Sequence, residues 1–353
     1  MTGEIRILDQ VLGEGEPCFI IAEAGVNHNG NINLAKKLID VAKESEANAV
    51  KFQTFRTEYM VSIKAEKAPY QKETTSSEES QFEMLKKLEL SGSQFEELFD
   101  YANKKGLIFL SSPFDEPSAD LLDELGVPAF KIASGEITNT PFVRYIAKKG
   151  KPIILSTGMS TLGEIKEAVK AIRTEGIKDI VLLHCVSAYP AKIEDANLRA
   201  IQTLMKAFRL PVGFSDHTIG ITVPIAAVAL GAVVLEKHFT LDKNLPGPDH
   251  KASLEPQELK RMVEVVRQVE KALGNGIKKP TEQEEKIKKV VRRSIVATLD
   301  IRKGTIITPK MIAIKRPGTG IEPKHADRIM GSIAKSFIKR DELLTMDKLE
   351  LKE

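Results

Sequence analysis

The chain has 353 residues, of which 42% are hydrophobic and 29% are charged, so it can bury an extended core and is not intrinsically disordered. Its formal net charge of +3 is too small to indicate binding to nucleic acid or to a membrane surface, and no apolar run approaches the roughly 18 residues of a membrane span. The start of the chain lacks the basic and apolar regions of a secretion signal, and the two cysteines lie in apolar runs, which together predict a cytoplasmic protein.

Strand-like and helix-like segments alternate through most of the chain. After a short strand at 4–10, the predicted strands are 19–23, 49–53, 107–111, 129–133, 152–156, 180–184, 212–214 and 233–238. The predicted helices, with apolar residues at helical spacing, are 32–47, 95–105, 118–125, 141–149, 162–174, 197–208, 221–230 and 256–273. Eight strand–helix pairs predict a (β/α)8 TIM barrel. A doubly wound open sheet is the alternative, and the count of eight favours the barrel.

Two regions depart from this alternation. The polar segment 54–93, with a weak helix at 78–88, is too long for an ordinary connection and predicts a lid or wall of a functional site. After residue 274 the composition changes: 275–291 is rich in Gly, Lys and Glu and is predicted to be a linker. Residues 292–353 contain short β-like runs between turns, which predicts a small, mostly β second domain. The predicted domains are therefore 1–274 and 292–353, joined by 275–291.

Polar residues stand at the carboxyl ends of all eight predicted barrel strands. In a barrel these positions ring the active face, whereas a structural role would favour Val, Ile or Leu. The residues are Glu23, Lys51, Gln53, Ser111, Ser112, Lys131, Ser134, Glu136, Ser156, Thr157, His184, Ser187, Tyr189, Ser215, Asp216, His217, Glu236, His238 and, in a following loop, Asp249. The pattern predicts an active site at this face.

Two of these residues, His217 and His238, end neighbouring predicted strands. Converging imidazoles suit a divalent metal, and two protein ligands leave positions open for water and substrate. His184 is either a third ligand or a buried, hydrogen-bonded histidine. Cys18 and Cys185 are expected to be core residues.

Lys51 and Lys131 lie inside predicted strands, where an ammonium group must meet an anion. The anion is either a bound phosphate or carboxylate, or an internal partner such as Glu23 or Glu236. Further donors for a bound anion are Ser134, Ser187 and Ser215. Metal, lysines and spare carboxylates together favour metal-assisted formation or cleavage of a carbon–carbon bond with a phosphorylated or carboxylated substrate. Metal-assisted hydrolysis is the alternative.

A family resemblance covers nearly the whole chain. The motifs that carry it are IIAEAGVNHNG (20–30), VKFQTF (50–55), SSPFD (111–115), FKIASGE (130–136), ILSTGM (154–159), LHCVSAYP (183–190), GFSDHTIG (213–220), EKHFT (236–240), PGPDHKASLEP (246–256) and KRPGTGI (315–321). In these motifs the sequence resembles the sialic acid synthases, nonulosonic acid synthases that condense phosphoenolpyruvate with an N-acetylated hexosamine. The last motif resembles the antifreeze-like (SAF) domain that ends these enzymes.

The resemblance implies a role for each matching residue. His217 and His238 would bind a divalent metal of manganese type, with Mg²⁺ and Co²⁺ as alternatives. The residues implied to hold phosphoenolpyruvate are Lys51, Ser112, Lys131, Ser134, Ser187, Tyr189 and Ser215. The residues implied to face the open-chain sugar, the metal and its waters are Glu23, Glu136 and Asp249 as catalytic groups, and Gln53. Arg316 would reach the acetamido group from a partner subunit, which implies a domain-swapped homodimer.

The implied activity is that of an N-acetylneuraminate synthase, a transferase that joins phosphoenolpyruvate to N-acetylmannosamine and releases phosphate. N-acetylmannosamine 6-phosphate is another candidate acceptor. The alternative acceptor is 2,4-diacetamido-2,4,6-trideoxymannose, which leads to N,N'-diacetyllegionaminate, and the segment AEKAPYQKETTSSEESQ (65–81) resembles that branch. Two rivals remain: a class I aldolase with a Schiff base on Lys51 or Lys131, and a non-catalytic barrel that carries an ice- or carbohydrate-binding C-terminal unit.

Overall fold

The computed structural model describes residues 4–76 and 78–352. The chain divides into two compact units, Met1–Gly274 and Asn275–Glu353, and each is described by itself. None of the helices in the described ranges combines the length and apolar character needed to cross a membrane.

Within the described residues, the first unit has ten strands and eleven α-helices. The strands are β1 Ile5–Ile7, β2 Gln10–Leu12, β3 Phe19–Gly25, β4 Ala49–Thr54, β5 Ile108–Pro113, β6 Phe130–Ile132, β7 Ile153–Ser156, β8 Ile180–Cys185, β9 Val212–Asp216 and β10 Val234–His238. The helices are α1 Ile32–Glu44, α2 Thr57–Met60, α3 Pro69–Thr74, α4 Gln81–Leu88, α5 Gly92–Lys104, α6 Glu116–Leu125, α7 Thr140–Ala147, α8 Leu162–Thr174, α9 Arg199–Phe208, α10 Thr222–Ala229 and α11 Pro256–Leu273.

Strands β3 to β10 form one parallel sheet in the order β5-β4-β3-β10-β9-β8-β7-β6. The two end strands, β5 and β6, lie beside each other, so the sheet is an almost closed barrel. The predicted (β/α)8 barrel is confirmed. Helices α8 and α11 begin and end where the sequence predicts, because each has a capping box at its first turn and a regular apolar face that packs on the sheet.

Alternate residues of each barrel strand face opposite sides of the sheet. One set, with Ile21, Leu110 and Val181, forms an apolar layer in the barrel interior, and the other set packs against the helices. The antiparallel hairpin β1–β2 contributes Ile7 and Leu12 to the interior cluster. The predicted single strand at 4–10 is therefore a hairpin, whose apolar residues extend the interior core.

The polar segment 54–93 contains α2, α3 and α4 rather than the single weak helix predicted at 78–88. The loop between α3 and α4 is held by Lys67, a buried residue whose ammonium group donates to Thr75 Oγ1 at 2.9 Å and lies 3.3 Å from Glu79 Oε1. These contacts are local and polar, so they leave no apolar period in the sequence.

The second unit has a small core around Ile295, Ile307 and Ile338. Its elements are α12 Glu282–Val291, β11 Ser294–Ala297, β12 Ile312–Lys315, α13 Ala326–Ile329, β13 Ile333–Ala334 and β14 Leu349–Glu350. The pairs β11–β12 and β13–β14 are antiparallel. Helix α12 lies inside the predicted linker 275–291, so that segment contains a helix that was not predicted. It has no buried residue, so its sequence signals are polar: the capping box of Thr281 and Glu284, and the acidic first turn and basic last turn.

Candidate active site

The strand alternation explains why polar side chains collect inside the barrel. Ala49, Leu110 and Val234 belong to the interior apolar layer. Two residues further along the same strands stand Lys51, Ser112 and Glu236, and all three line one cavity. Because a strand has a side-chain period of two, the apolar layer fixes which residues of the next layer face the interior.

The cavity has a volume of about 320 Å³ and brings together most of the predicted site residues. Those that line it are Glu23, Lys51, Gln53, Ser112, Lys131, Ser134, Ser187, Tyr189, Ser215, His217 and His238. Among the residues to which the family resemblance assigns a substrate, metal or catalytic role, three do not line it: Glu136, Asp249 and Arg316. The structure therefore assembles a polar site at the carboxyl ends of the strands, where barrel enzymes hold their reacting groups.

Glu236 connects the two lysines. Its Oε1 accepts a hydrogen bond from Ser215 Oγ at 2.7 Å and lies 3.6 Å from Lys131 Nζ, while its Oε2 lies 3.7 Å from Lys51 Nζ. Burial alone would raise the pKa of Glu236, but the two ammonium groups and the Ser215 bond outweigh burial and lower it to about 2. Glu236 is therefore a fixed negative charge, although the sequence analysis gave it no role beyond that of an ion-pair partner.

Lys51 also pairs with Glu23, whose Oε2 lies 2.5 Å from Lys51 Nζ, and donates to Ser112 Oγ at 3.1 Å. Burial raises the pKa of Glu23 to about 7 despite the neighbouring Lys51, and the charge of Glu236 adds to the rise. Burial lowers the pKa of Lys131, which the attraction of Glu236 only partly offsets. The internal ion pairs of the two lysines are thus formed. A carboxyl group with a pKa near 7 can exchange a proton at neutral pH.

His217 and His238 have ring centroids 5.5 Å apart. His217 Nδ1 lies 2.7 Å from the carbonyl oxygen of Val186, and because a carbonyl only accepts, Nδ1 carries the hydrogen. In the neutral ring, Nε2 then presents a lone pair, as in metal-bound histidines. His238 Nδ1 is buried without a hydrogen-bond partner in the described part of the chain.

These two imidazoles fit a divalent metal, with one limit. Across residues 4–76 and 78–352, no three His, Cys, Asp or Glu side chains are grouped closely enough to hold an ion. Two protein ligands would therefore depend on water and substrate oxygen for the remaining positions.

His184 is a buried, hydrogen-bonded histidine and not a third ligand of this pair. Its Nε2 donates to the Ala196 carbonyl at 2.8 Å, and its ring lies beside Phe214 in the layer outside the barrel.

The three predicted residues outside the cavity lining differ in their surroundings. Asp249 is buried, and burial raises its pKa to about 6, while the charges of His217 and Lys51 oppose the rise. Glu136 is partly buried beside the lining residue Gly135 and accepts a hydrogen bond from Asn139 Nδ2 at 2.8 Å. Arg316 belongs to the second unit and is exposed.

Some side chains take positions that the sequence analysis missed. Cys185, expected in the core, lines the cavity with its sulfur 3.8 Å from His217 Nδ1; its place two residues after the interior Leu183 was the available signal. Tyr70 of α3 also lines the cavity, and its ring stacks on Tyr189 at a centroid distance of 5.1 Å. The segment 54–93 thus supplies part of the site wall.

Two further residues of the predicted polar ring face away from the interior, as His184 does. Ser111 Oγ lies 2.7 Å from Thr54 Oγ1, and Asp216 forms a buried ion pair with Lys237 at 2.5 Å. Both stand one residue away from an interior-facing residue, so the strand alternation places them in the outer layer.

A barrel with lysines, carboxylates and paired histidines at its carboxyl face has the groups of an enzyme active site. Comparison with known families identifies the enzyme family. Residues 38–278 match the NeuB family model, and residues 292–350 match the SAF domain. The chain belongs to the NeuB family, the nonulosonic acid synthases, which are transferases that form a carbon–carbon bond.

Two curated relatives and one solved structure are similar over most of their length. The chain is 54% identical to the N,N'-diacetyllegionaminic acid synthase of Campylobacter jejuni, over 92% of this chain and 98% of that protein. It is 51% identical to the synthase of the same name from Legionella pneumophila, over 91% of each. The crystal structure of a sialic acid synthetase from Leptospira borgpetersenii, in complex with citrate, is 38% identical, with a TM-score of 0.73 over 81% of this chain and 95% of that chain.

Proposed function

We propose that this protein is an N,N'-diacetyllegionaminate synthase, which condenses phosphoenolpyruvate with 2,4-diacetamido-2,4,6-trideoxymannose. The supporting observation is the 54% and 51% identity to two proteins named for that product, against 38% to the sialic acid synthetase. The expectation of N-acetylmannosamine as acceptor thus has weaker support than its alternative. The segment 65–81, whose sequence resembles the legionaminate branch, contributes Ala68 and Tyr70 to the cavity wall.

The cavity chemistry supports this reaction class. Lys51 and Lys131 present two buried ammonium groups to a phosphorylated carboxylate, with the hydroxyl donors Ser112, Ser134 and Ser215 on the same walls. C3 of phosphoenolpyruvate forms the new bond to the aldehyde carbon, whose oxygen takes up a proton. Water adds at C2 with loss of a proton, and the bond from C2 to the phosphate oxygen breaks to release phosphate. Glu23, with a pKa of about 7, is suited to holding or returning one of these protons.

We also propose a divalent metal of manganese type at His217 and His238. The lone pair of His217 Nε2 and the buried Nδ1 of His238, which has no hydrogen-bond partner among the described residues, support this assignment. When bound, the ion would polarise the sugar aldehyde as a Lewis acid. Dialysis against a chelator should then remove activity, and added Mn²⁺ should restore it. Borohydride trapping of a protein–substrate adduct, with indifference to the chelator, would instead support a Schiff base on Lys51 or Lys131.

The acceptor is tested by offering two sugars in parallel. The purified full chain with phosphoenolpyruvate and Mn²⁺ should release phosphate with the 2,4-diacetamido sugar at a kcat/KM at least about 100-fold above that with N-acetylmannosamine, since a site built for a polar group discriminates strongly. The nine-carbon product is identified by mass spectrometry. Turnover with N-acetylmannosamine alone would make the protein a sialic acid synthase, and turnover with neither would remove the proposed function.

We also propose that Arg316 completes the site of a partner subunit in a domain-swapped homodimer, which the family resemblance of the motif at 315–321 implies. We expect mixtures of Arg316→Ala chains with His238→Ala chains to regain activity, because one site of each mixed dimer would then combine an intact His238 with an intact Arg316. The same chains assayed separately should stay inactive. A lack of recovery in mixtures shown to exchange subunits would argue against the shared site.

A further inference from the structure

The loop after β7 passes close to two of the serines in the cavity. A Cβ atom placed on Gly158 would lie 2.2 Å from Ser187 Oγ and 2.8 Å from Ser134 Oγ, with the sulfur of Cys185 at 3.2 Å. Distances of 2.2 and 2.8 Å are too short for a Cβ atom and a non-bonded oxygen, so one of the two atoms would have to move. Any side chain at residue 158 would therefore push both hydroxyl groups out of their positions.

Gly158 is required here for space and not for backbone conformation. Its φ lies outside the left-handed region that favours glycine, so alanine could adopt the same backbone. The next residue, Met159, does have a left-handed φ of 60° although its side chain is 73% exposed. A non-glycine residue in that region is strained, which indicates that the loop is held in place by contacts other than burial of Met159.

One such contact joins the loop to the cavity. The backbone N–H of Gly158 donates to Ser134 Oγ at 2.9 Å. Because this bond occupies a lone pair of the oxygen, the hydroxyl hydrogen of Ser134 is left to be donated elsewhere. The backbone of Gly158 thus orients Ser134, and its missing side chain leaves room for Ser187. Both serines line the cavity together with Lys51 and Lys131.

We propose that Gly158 is a positioning residue for the anionic substrate, which acts through Ser134 and Ser187. The absent Cβ lets two hydroxyl donors converge on the wall of the lysine-containing cavity, where they bond a phosphate or carboxylate oxygen. This inference rests on the proposed use of phosphoenolpyruvate. It adds the requirement that residue 158 has no side chain, although this residue contributes no polar side chain to the site.

The test is the variant Gly158→Ala in the full chain. We expect the KM for phosphoenolpyruvate to rise about 10- to 100-fold, because one or two hydrogen bonds to a charged group are lost. The KM for the sugar and kcat should change less than about threefold. Titration calorimetry with phosphoenolpyruvate alone should show the same loss of affinity. Gly163→Ala is the matched control, because its Cβ would meet only Thr161 Oγ1 at 3.7 Å on an exposed turn of α8.

A double-variant cycle distinguishes positioning from a general disturbance of the fold. Ser187→Ala alone should raise the KM for phosphoenolpyruvate, and adding it to Gly158→Ala should raise the KM little further, because Ser187 is already displaced. Fully additive effects would contradict the proposal. If Gly158→Ala does not fold, it can be combined with Ser187→Gly, which removes the 2.2 Å contact. The KM of this double variant for phosphoenolpyruvate should stay above that of Ser187→Gly alone, because Ser134 is still displaced. Equal KM values would contradict the proposal.

The wild-type titration separates this inference from the proposed function. If the wild type does not bind phosphoenolpyruvate, the proposed function fails and the inference fails with it. If the wild type binds and Gly158→Ala binds equally well, only the inference is wrong.

Discussion

Replacing Lys131 by methionine is expected to lower kcat/KM for phosphoenolpyruvate by about 10³-fold. Truncating one partner of a buried charge pair costs about 2–5 kcal/mol, and each 1.4 kcal/mol is a factor of ten. Lys131 is buried, and its ammonium lies 3.6 Å from Glu236. Without it, Lys51 would face both Glu23 and Glu236 alone, and the cavity would lose one of the two ammonium groups available to an anionic substrate.

The effect should fall mainly on substrate affinity, because the proposed role of Lys131 is to bind the anion in the ground state as well as in the transition state. Steady-state assays of phosphate release give KM and kcat, and a titration with phosphoenolpyruvate gives the affinity directly. Lys151→Met is the matched control: this lysine precedes β7, pairs with Asp123 at 2.7 Å and is partly exposed, so its loss should change kcat/KM less than about threefold. A Lys131→Met enzyme that keeps more than a tenth of wild-type kcat/KM would contradict the assigned role.

Most of the fold followed from periodicity in the sequence. The strand–helix alternation predicts all eight barrel strands within a few residues, because buried parallel strands and amphipathic helices leave strong apolar patterns. Helix α12 and the short helices α2 and α3 leave no such pattern. They are stabilised by caps and polar contacts such as those of Lys67, so their residues resemble those of an irregular loop.

The positions of the site side chains could be predicted less fully than the fold. Chain order identifies which residues follow each strand, but the face on which a side chain lies depends on counting from the apolar interior layer. That count puts Cys185 in the cavity and His184 outside it, so both positions are encoded in the strand period. The position of Tyr70 could not be obtained in this way, because α3 belongs to a segment with no strand period from which to count.

The outer-face pair Asp216–Lys237 should be the most sensitive point of the barrel to a single substitution. Lys237 Nζ lies 2.5 Å from Asp216 Oδ2, and both side chains are fully buried. Asp216 also accepts from the Thr218 backbone N–H at 3.0 Å and from its hydroxyl at 3.1 Å. These two residues immediately precede His217 and His238 in the chain, so the pair ties together the strand ends that carry both histidines.

Lys237→Met is therefore expected to lower the free energy of unfolding of the barrel by about 3–5 kcal/mol, because it leaves a carboxylate buried without its counter-ion. Adding Asp216→Leu should recover part of the loss, since a buried pair can often be replaced by apolar residues. The recovery should stay incomplete because the Thr218 N–H would lose its acceptor, at about 1–3 kcal/mol.

Urea unfolding of the full chain, followed through the barrel transition, measures these differences against Lys72→Met. Lys72 lies in the same unit and pairs with Glu66 at 3.1 Å, but the two side chains are 48% and 86% exposed, so its loss should change stability by less than about 1 kcal/mol. If Lys237→Met were no more destabilising than Lys72→Met, the buried pair would not hold the strand ends. If the double variant were worse than Lys237→Met alone, unpaired charge would not be the cause of the loss.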